Sequence, residues 1–117
     1  MILNNEKMHD SVTVLSQAEE KGMLGYAIAK NLRLLVDETR EFSKKREELI
    51  REHGIALGGD KYQLPPENAA RFFEALRPYS ELTADVAVMQ VSPEVFYGGN
   101  LTSQQMFVLD WMVKDGD

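Results

Sequence analysis

The fold is decided by residues Gly22–His53, GMLGYAIAKNLRLLVDETREFSKKREELIREH. After Gly25 this stretch has no Gly or Pro until Gly54. Ile28, Leu32, Leu35, Phe42 and Leu49 recur at spacings of three, four and seven, with Thr39 and Arg46 completing the same stripe. Apolar residues at that period line one face of a helix. The spacing predicts an unbroken helix from Met23 to Glu52, roughly 30 residues and about 45 Å long. His53-Gly54 closes it, with Gly placed for a left-handed C-cap.

Upstream, Met8, Val12, Leu15 and Ala18 or Glu19 define a first helix over 5–20, and Met1–Asn4 reads as a short strand before it. Lys21–Gly25 breaks the pattern, and a connection that short normally makes two helices antiparallel neighbours, so a helical hairpin is expected. The second helix is about twice as long as the first, and its distal part requires a separate partner. Gly58-Gly59 between Ile55–Leu57 and Lys61–Leu64 signals a β-hairpin or loop. Pro65-Pro66 opens a third helix that should end at Arg77, before Pro78, with Phe72, Phe73 and Leu76 on its apolar face. Ala84–Val91 reads as a strand covered on both faces. Thr102 with Gln105 is a capping-box pattern opening a last helix that runs to Lys114. The expected fold is α+β and helix-dominated: a long antiparallel helical hairpin, two shorter helices and a small antiparallel sheet. Residues 1–117 form a single domain.

Composition narrows the function classes. The chain has 117 residues, 44% of them hydrophobic and 27% charged, as in an ordinary globular protein. It has no Cys, which excludes disulfides, thiol catalysis and thiolate metal sites. A reducing cytoplasm is the simplest compartment. The N-terminus lacks a basic region followed by an apolar one, so no signal peptide is expected, and no run is long enough to span a bilayer. The net charge of −6 is unevenly placed: residues 79–117 carry six acids and one base, Lys114. Nucleic-acid binding needs clustered Lys and Arg, so it is not expected. Lys44-Lys45-Arg46 sits among Glu41, Glu47 and Glu48 and reads as a solvated helix face with pairs such as Glu41–Lys45 and Glu47–Arg51.

No constellation for catalysis emerges. His9 and His53 are the only histidines and neither has a second ligand at metal-binding spacing. Glu47, Glu48 and Glu52 have Lys44 and Arg51 beside them and read as ion pairs. Gly58-Gly59-Asp60-Lys61 lacks the phosphate-loop pattern, and Ser92 and Ser103 lack a nucleophile elbow. No catalytic, cofactor or metal site is expected, and no small-molecule substrate is evident. The last helix is the unusual feature. At about 100° per residue, Met106–Leu109 and Trp111–Val113 cover most of its circumference, leaving a narrow stripe of Ser103, Asp110 and Lys114. Such a helix is either enclosed by the core or shared with a partner, and Phe107 and Trp111 are the candidate partner-binding residues.

Two stretches carry a family resemblance. The first is Gly25-Tyr26-Ala27-Ile28-Ala29-Lys30-Asn31-Leu32 with Glu38, Phe42, Arg46, Leu49 and His53-Gly54. The second is Leu101-Thr102-Ser103-Gln104-Gln105-Met106 with Leu109-Asp110-Trp111-Met112-Val113. Together they resemble a family of small uncharacterised phage and prophage proteins, often encoded among morphogenesis genes. The resemblance implies a viral context and transfers no catalytic residue. The expected function is a non-enzymatic accessory or assembly protein acting through a protein partner or self-association. The alternative is a small acidic inhibitor of a host defence or nucleic-acid enzyme. Weak salt dependence of binding marks the first and steep salt dependence the second.

Overall fold

The computed structural model describes residues 1–114. Asp115 and Asp117, two of the six acids of the last third, lie outside them. The element order is β1 (Ile2–Asn4), α1 (Asn5–Gln17), α2 (Gly22–Glu38), α3 (Arg40–His53), β2 (Ile55–Gly58), β3 (Lys61–Gln63), α4 (Pro66–Ser80), β4 (Thr83–Asp85), α5 (Pro93–Tyr97) and α6 (Ser103–Val108), then a 3₁₀ turn at Asp110–Met112. The fold is helix-dominated α+β. Two small antiparallel sheets pair β1 with β4 and β2 with β3. None of the described helices is long and apolar enough to cross a membrane.

Asn4 caps α1: its side chain accepts from the Lys7 N–H at 2.7 Å. Met8, Ser11 and Leu15 then face α2, which returns antiparallel. The long helix is interrupted once. At Thr39 the backbone turns to φ −94° and ψ 9°, so α2 and α3 are separate. Thr39 is buried, and its hydroxyl donates to the Leu35 carbonyl at 2.7 Å, the same carbonyl that its own N–H reaches at 2.9 Å. A β-branched residue bonding back onto the preceding turn distorts a helix there. The chain does not reverse, and the apolar stripe survives the break. Ile28 and Leu35 before it, and Phe42 and Leu49 after it, are all buried.

The stripe feeds two different cores. Ile28 and Leu35 join Met8, Leu15, Leu24, Phe96, Leu109 and Met112 in a large cluster. Phe42 and Leu49 join Phe72 and Leu76 in a cluster of four between α3 and α4. Thus α4 is the separate partner that the distal half of the long helix requires. At the end of α3 the His53 carbonyl accepts from the Asn68 side chain of α4 at 2.7 Å. Gly54 is extended (φ −89°), not left-handed. Its glycine is required by packing instead: a Cβ there would lie 2.5 Å from the Ile50 carbonyl oxygen. Beyond it β2 and β3 form the expected hairpin, turned by Gly58 and Gly59 at φ 103° and 61°. Ile55 and Leu57 on this hairpin are exposed.

Three further expectations change. Helix α4 does not stop before Pro78 but runs to Ser80, because a Pro in the last turn forfeits one bond while Glu81 N–H still reaches the Arg77 carbonyl at 3.1 Å. The strand expected over Ala84–Val91 is regular only at Thr83–Asp85, and its pairing with the β1 segment ends at Val86, whose N–H donates to the Met1 carbonyl at 2.8 Å. Buried Asn31 then replaces a strand. Its side chain accepts from Met89 N–H at 2.7 Å and donates to Met89 C=O at 2.9 Å. Farther on, Val91 forms a parallel bridge with Val113. The last helix ends at Val108 instead of Lys114, although the Thr102–Gln105 capping box is present. A break at Leu109 re-aims the chain so that Leu109, Trp111 and Met112 enter the large core.

Candidate protein-interaction surface

Where α1 lies against α3 and α4, the two cores leave a groove of about 610 Å³ between them. Helix α1 supplies Glu6, His9, Asp10, Thr13 and Val14, which recur three and four residues apart and so share one face. Helix α3 supplies Phe42 and Arg46, and α4 supplies Phe73, Leu76, Arg77 and Ser80. Phe42 and Leu76 are the apolar floor, both buried. Phe73 stands at the side with 60% of its surface exposed. It packs edge-on against buried Phe72, with ring centroids 5.1 Å apart.

The rim carries both signs. Glu6, Asp10 and Glu81 oppose Arg46 and Arg77. The Arg46 guanidinium lies 5.7 Å from the Phe72 ring centroid, and Arg77 pairs with Glu74 at 3.0 Å. His9 meets Phe42 edge-to-face at 5.7 Å. Burial, and then the positive charge of Arg46, hold its pKa below the ordinary value, against a smaller opposing pull from Asp10. The neutral ring is therefore favoured, and His9 serves the groove as an aromatic wall. The Thr13 hydroxyl is directed to the His9 carbonyl at 3.4 Å. An apolar floor with a mixed-charge rim suits an amphipathic segment of another protein.

The ion pairs on α3 differ from expectation. Lys44 pairs with Glu41 at 3.5 Å and Lys45 with Glu48 at 3.4 Å, in place of Glu41–Lys45 and Glu47–Arg51. Lys45 is drawn toward α4, where it lies 5.1 Å from the Tyr79 ring centroid. Its pKa is raised by Tyr79 and then by Glu48. Among the described residues no group of three or more His, Asp or Glu side chains is arranged to hold a metal ion.

The two residues singled out on the last helix part company. Trp111 is only 7% exposed and its indole N–H donates to the Ser11 hydroxyl of α1 at 3.0 Å, so its surface belongs to the core. Phe107 is 78% exposed and remains available to a partner. Phe73 was expected in the core beside Phe72. Adjacent helix residues point about 100° apart, so a narrow buried face can take only one of them, and that signal was present in the sequence. His9 joins the groove through tertiary packing alone. Comparison of the chain with protein-family models, curated proteins and solved structures found no match.

Proposed function

We propose that the protein works by binding other proteins, without catalysing a reaction, as an accessory or assembly component of a phage or prophage. The observation that carries the binding reading is exposed Phe73 above the apolar floor of the groove between the two cores. An aromatic side chain with that much free surface beside a concave apolar floor is a natural interface anchor. The viral context rests on the resemblance of residues 25–54 and 101–113.

The inhibitor alternative needs a concentrated acidic face. Among the described residues the acids of the last third are instead dispersed: Glu81 lines this groove, Glu94 lines a cleft beside the α1–α2 turn, and Asp110 pairs with Lys7 at 3.3 Å. The experiment is affinity capture from induced lysogens with the wild-type chain and Phe73→Glu side by side, over a salt series. The proposal expects virion or assembly proteins captured by wild type, lost with Phe73→Glu, and little affected by salt. Retention of the same partners by Phe73→Glu, or capture that collapses at moderate salt, would contradict it.

A further inference from the structure

The walls of the Phe73 groove decide what can lie in it. They come from α1, α3, α4, the end of α6 and the residue that caps α4, and none belongs to a strand. The N–H and C=O groups of helical walls are bonded within their own helices, so no sheet edge is open to an extended segment. A chain that buries apolar surface there has to bond its own backbone groups, as a helix does. Glu6 to Val14 on α1 and Phe73 to Ser80 on α4 each run about 10–12 Å at 1.5 Å per residue, or two helical turns. The charges around the floor are divided. Those on α1, Glu6 and Asp10, are acidic, whereas α3 and α4 contribute Arg46 and Arg77. Glu81, just past α4, is brought to the Glu6 end by the Asn5 N–H, which donates to the Leu82 carbonyl at 2.9 Å. Among the described residues Arg77 pairs with Glu74, while Glu6, Asp10, Glu81 and Arg46 enter no ion pair. The protein alone therefore leaves unneutralised charges of both signs around one apolar floor.

We infer that the groove holds a two-turn amphipathic helix of a partner protein, with one flank basic and the other acidic. Its apolar stripe, with anchors at i, i+4 and i+7, lies on Phe42, Leu76 and Phe73. Its basic flank faces Glu6 and Asp10, and its acidic flank faces Arg46. A helix with flanks of one sign satisfies one wall and is repelled by the other. Reversing a two-signed helix in the groove exchanges its flanks, so only one direction pairs both sets of charges. The apolar stripe supplies most of the affinity, and the rim charges select the partner and its direction. This rests on the reading that the protein binds other proteins through the Phe73 groove, and it adds the chemistry of the partner.

The test uses three capped, fluorescently labelled peptides of about 14 residues, a length at which helical turns begin to hold. All carry Leu at the same i, i+4 and i+7 positions. They differ only in their flanks: Lys on one and Glu on the other, Lys on both, or Glu on both. Binding is read by fluorescence anisotropy at low salt, where rim charges are least screened. The inference expects the mixed peptide to bind about fivefold tighter than either uniform peptide, and to lose binding with Phe73→Glu. It also expects the mixed peptide to gain helicity on binding. Asp10→Lys should shift the preference toward the all-Glu peptide, and Arg46→Glu toward the all-Lys peptide, each variant first being checked for native helicity by circular dichroism. A uniform peptide that binds as tightly as the mixed one would overturn the inference, as would an unchanged ranking in folded Asp10→Lys. No binding of the mixed peptide up to about millimolar concentration would overturn it too. If capture from induced lysogens still depends on Phe73 in that case, the two-signed helical ligand is removed and the protein-binding reading stands.

Discussion

The α1–α2 end of the molecule and the α3–α4 end are built from the same kind of helix pair and differ in what closes them. At the first end, the helical hairpin is roofed by segments distant in sequence. Val86, Val91, Phe96, Leu101, Leu109, Trp111 and Met112 all pack into it. At the second end, Phe42, Leu49, Phe72 and Leu76 form the whole buried set, and the hairpin beyond them leaves Ile55 and Leu57 in water. A core of many buried side chains tolerates a local loss, whereas a core of four depends on each member. Thr39 marks the boundary along the one helix that serves both ends, and the groove lies at the seam. A groove at the edge of the weaker half is the expected place for local adjustment.

The largest effects should separate the two ends. Trp111→Ala should cost roughly 3–5 kcal/mol and weaken the α1–α2 end, since it empties a large buried volume and strips the Ser11 hydroxyl of its partner. Phe72→Ala should cost a similar ~3–5 kcal/mol by the same rule. Its consequence should be local: α3 and α4 lose order while Trp111 fluorescence keeps its native wavelength. Chemical denaturation followed by circular dichroism checks the first, and circular dichroism with Trp111 fluorescence in parallel checks the second. Coincident loss of both signals in Phe72→Ala would show one cooperative core.

Asn31→Leu comes next, at about 2–4 kcal/mol, because a side chain of similar size leaves the Met89 N–H and C=O without the partners they now have. The Met89 amide should then exchange with solvent far faster in the variant than in wild type. An unchanged melting temperature would show that water replaces Asn31 at no cost.

His9 gives the smallest effect and tests the seam itself. Its folded-state pKa is depressed below the ordinary 6.5, so as pH falls the unfolded chain takes up this proton first. The His9 contribution is constant above that value, declines as pH falls through 6.5, and is fully lost below the folded-state pKa. In His9→Gln this part of the pH dependence should be absent. The His9 ring resonances should titrate with a midpoint under 6.5 in the folded protein, and a midpoint above 6.5 would show that the groove favours the charged ring.

The sequence shows clearly where one physical signal acts alone and poorly where two compete. Ile28, Leu35, Phe42 and Leu49 were legible as one stripe because burial and helical period agree there. The interruption at Thr39 was hidden because its cause is a single hydroxyl turned back to the Leu35 carbonyl. Ala84–Val91 looked like a strand on its alternating apolar residues. Its pairing with the β1 segment ends at Val86, and what replaces it is an Asn side chain 58 residues away. Thr102 and Gln105 announced their capping box, yet nothing local indicated that Leu109 would end the helix so that Trp111 could reach Ser11. Of the groove, Phe73 could have been found from its adjacency to Phe72. His9 and Arg46 come together only through the packing of α1 on α3 and α4.

Native-state hydrogen exchange of the wild-type protein tests the two-core account most directly. The account predicts that amides of α3 and α4, including Phe72 and Leu76, exchange through an opening of lower free energy, while Leu15 and Leu35 stay protected until global unfolding. Exchange of all four helices at one common free energy, converging under every denaturant concentration, would contradict it.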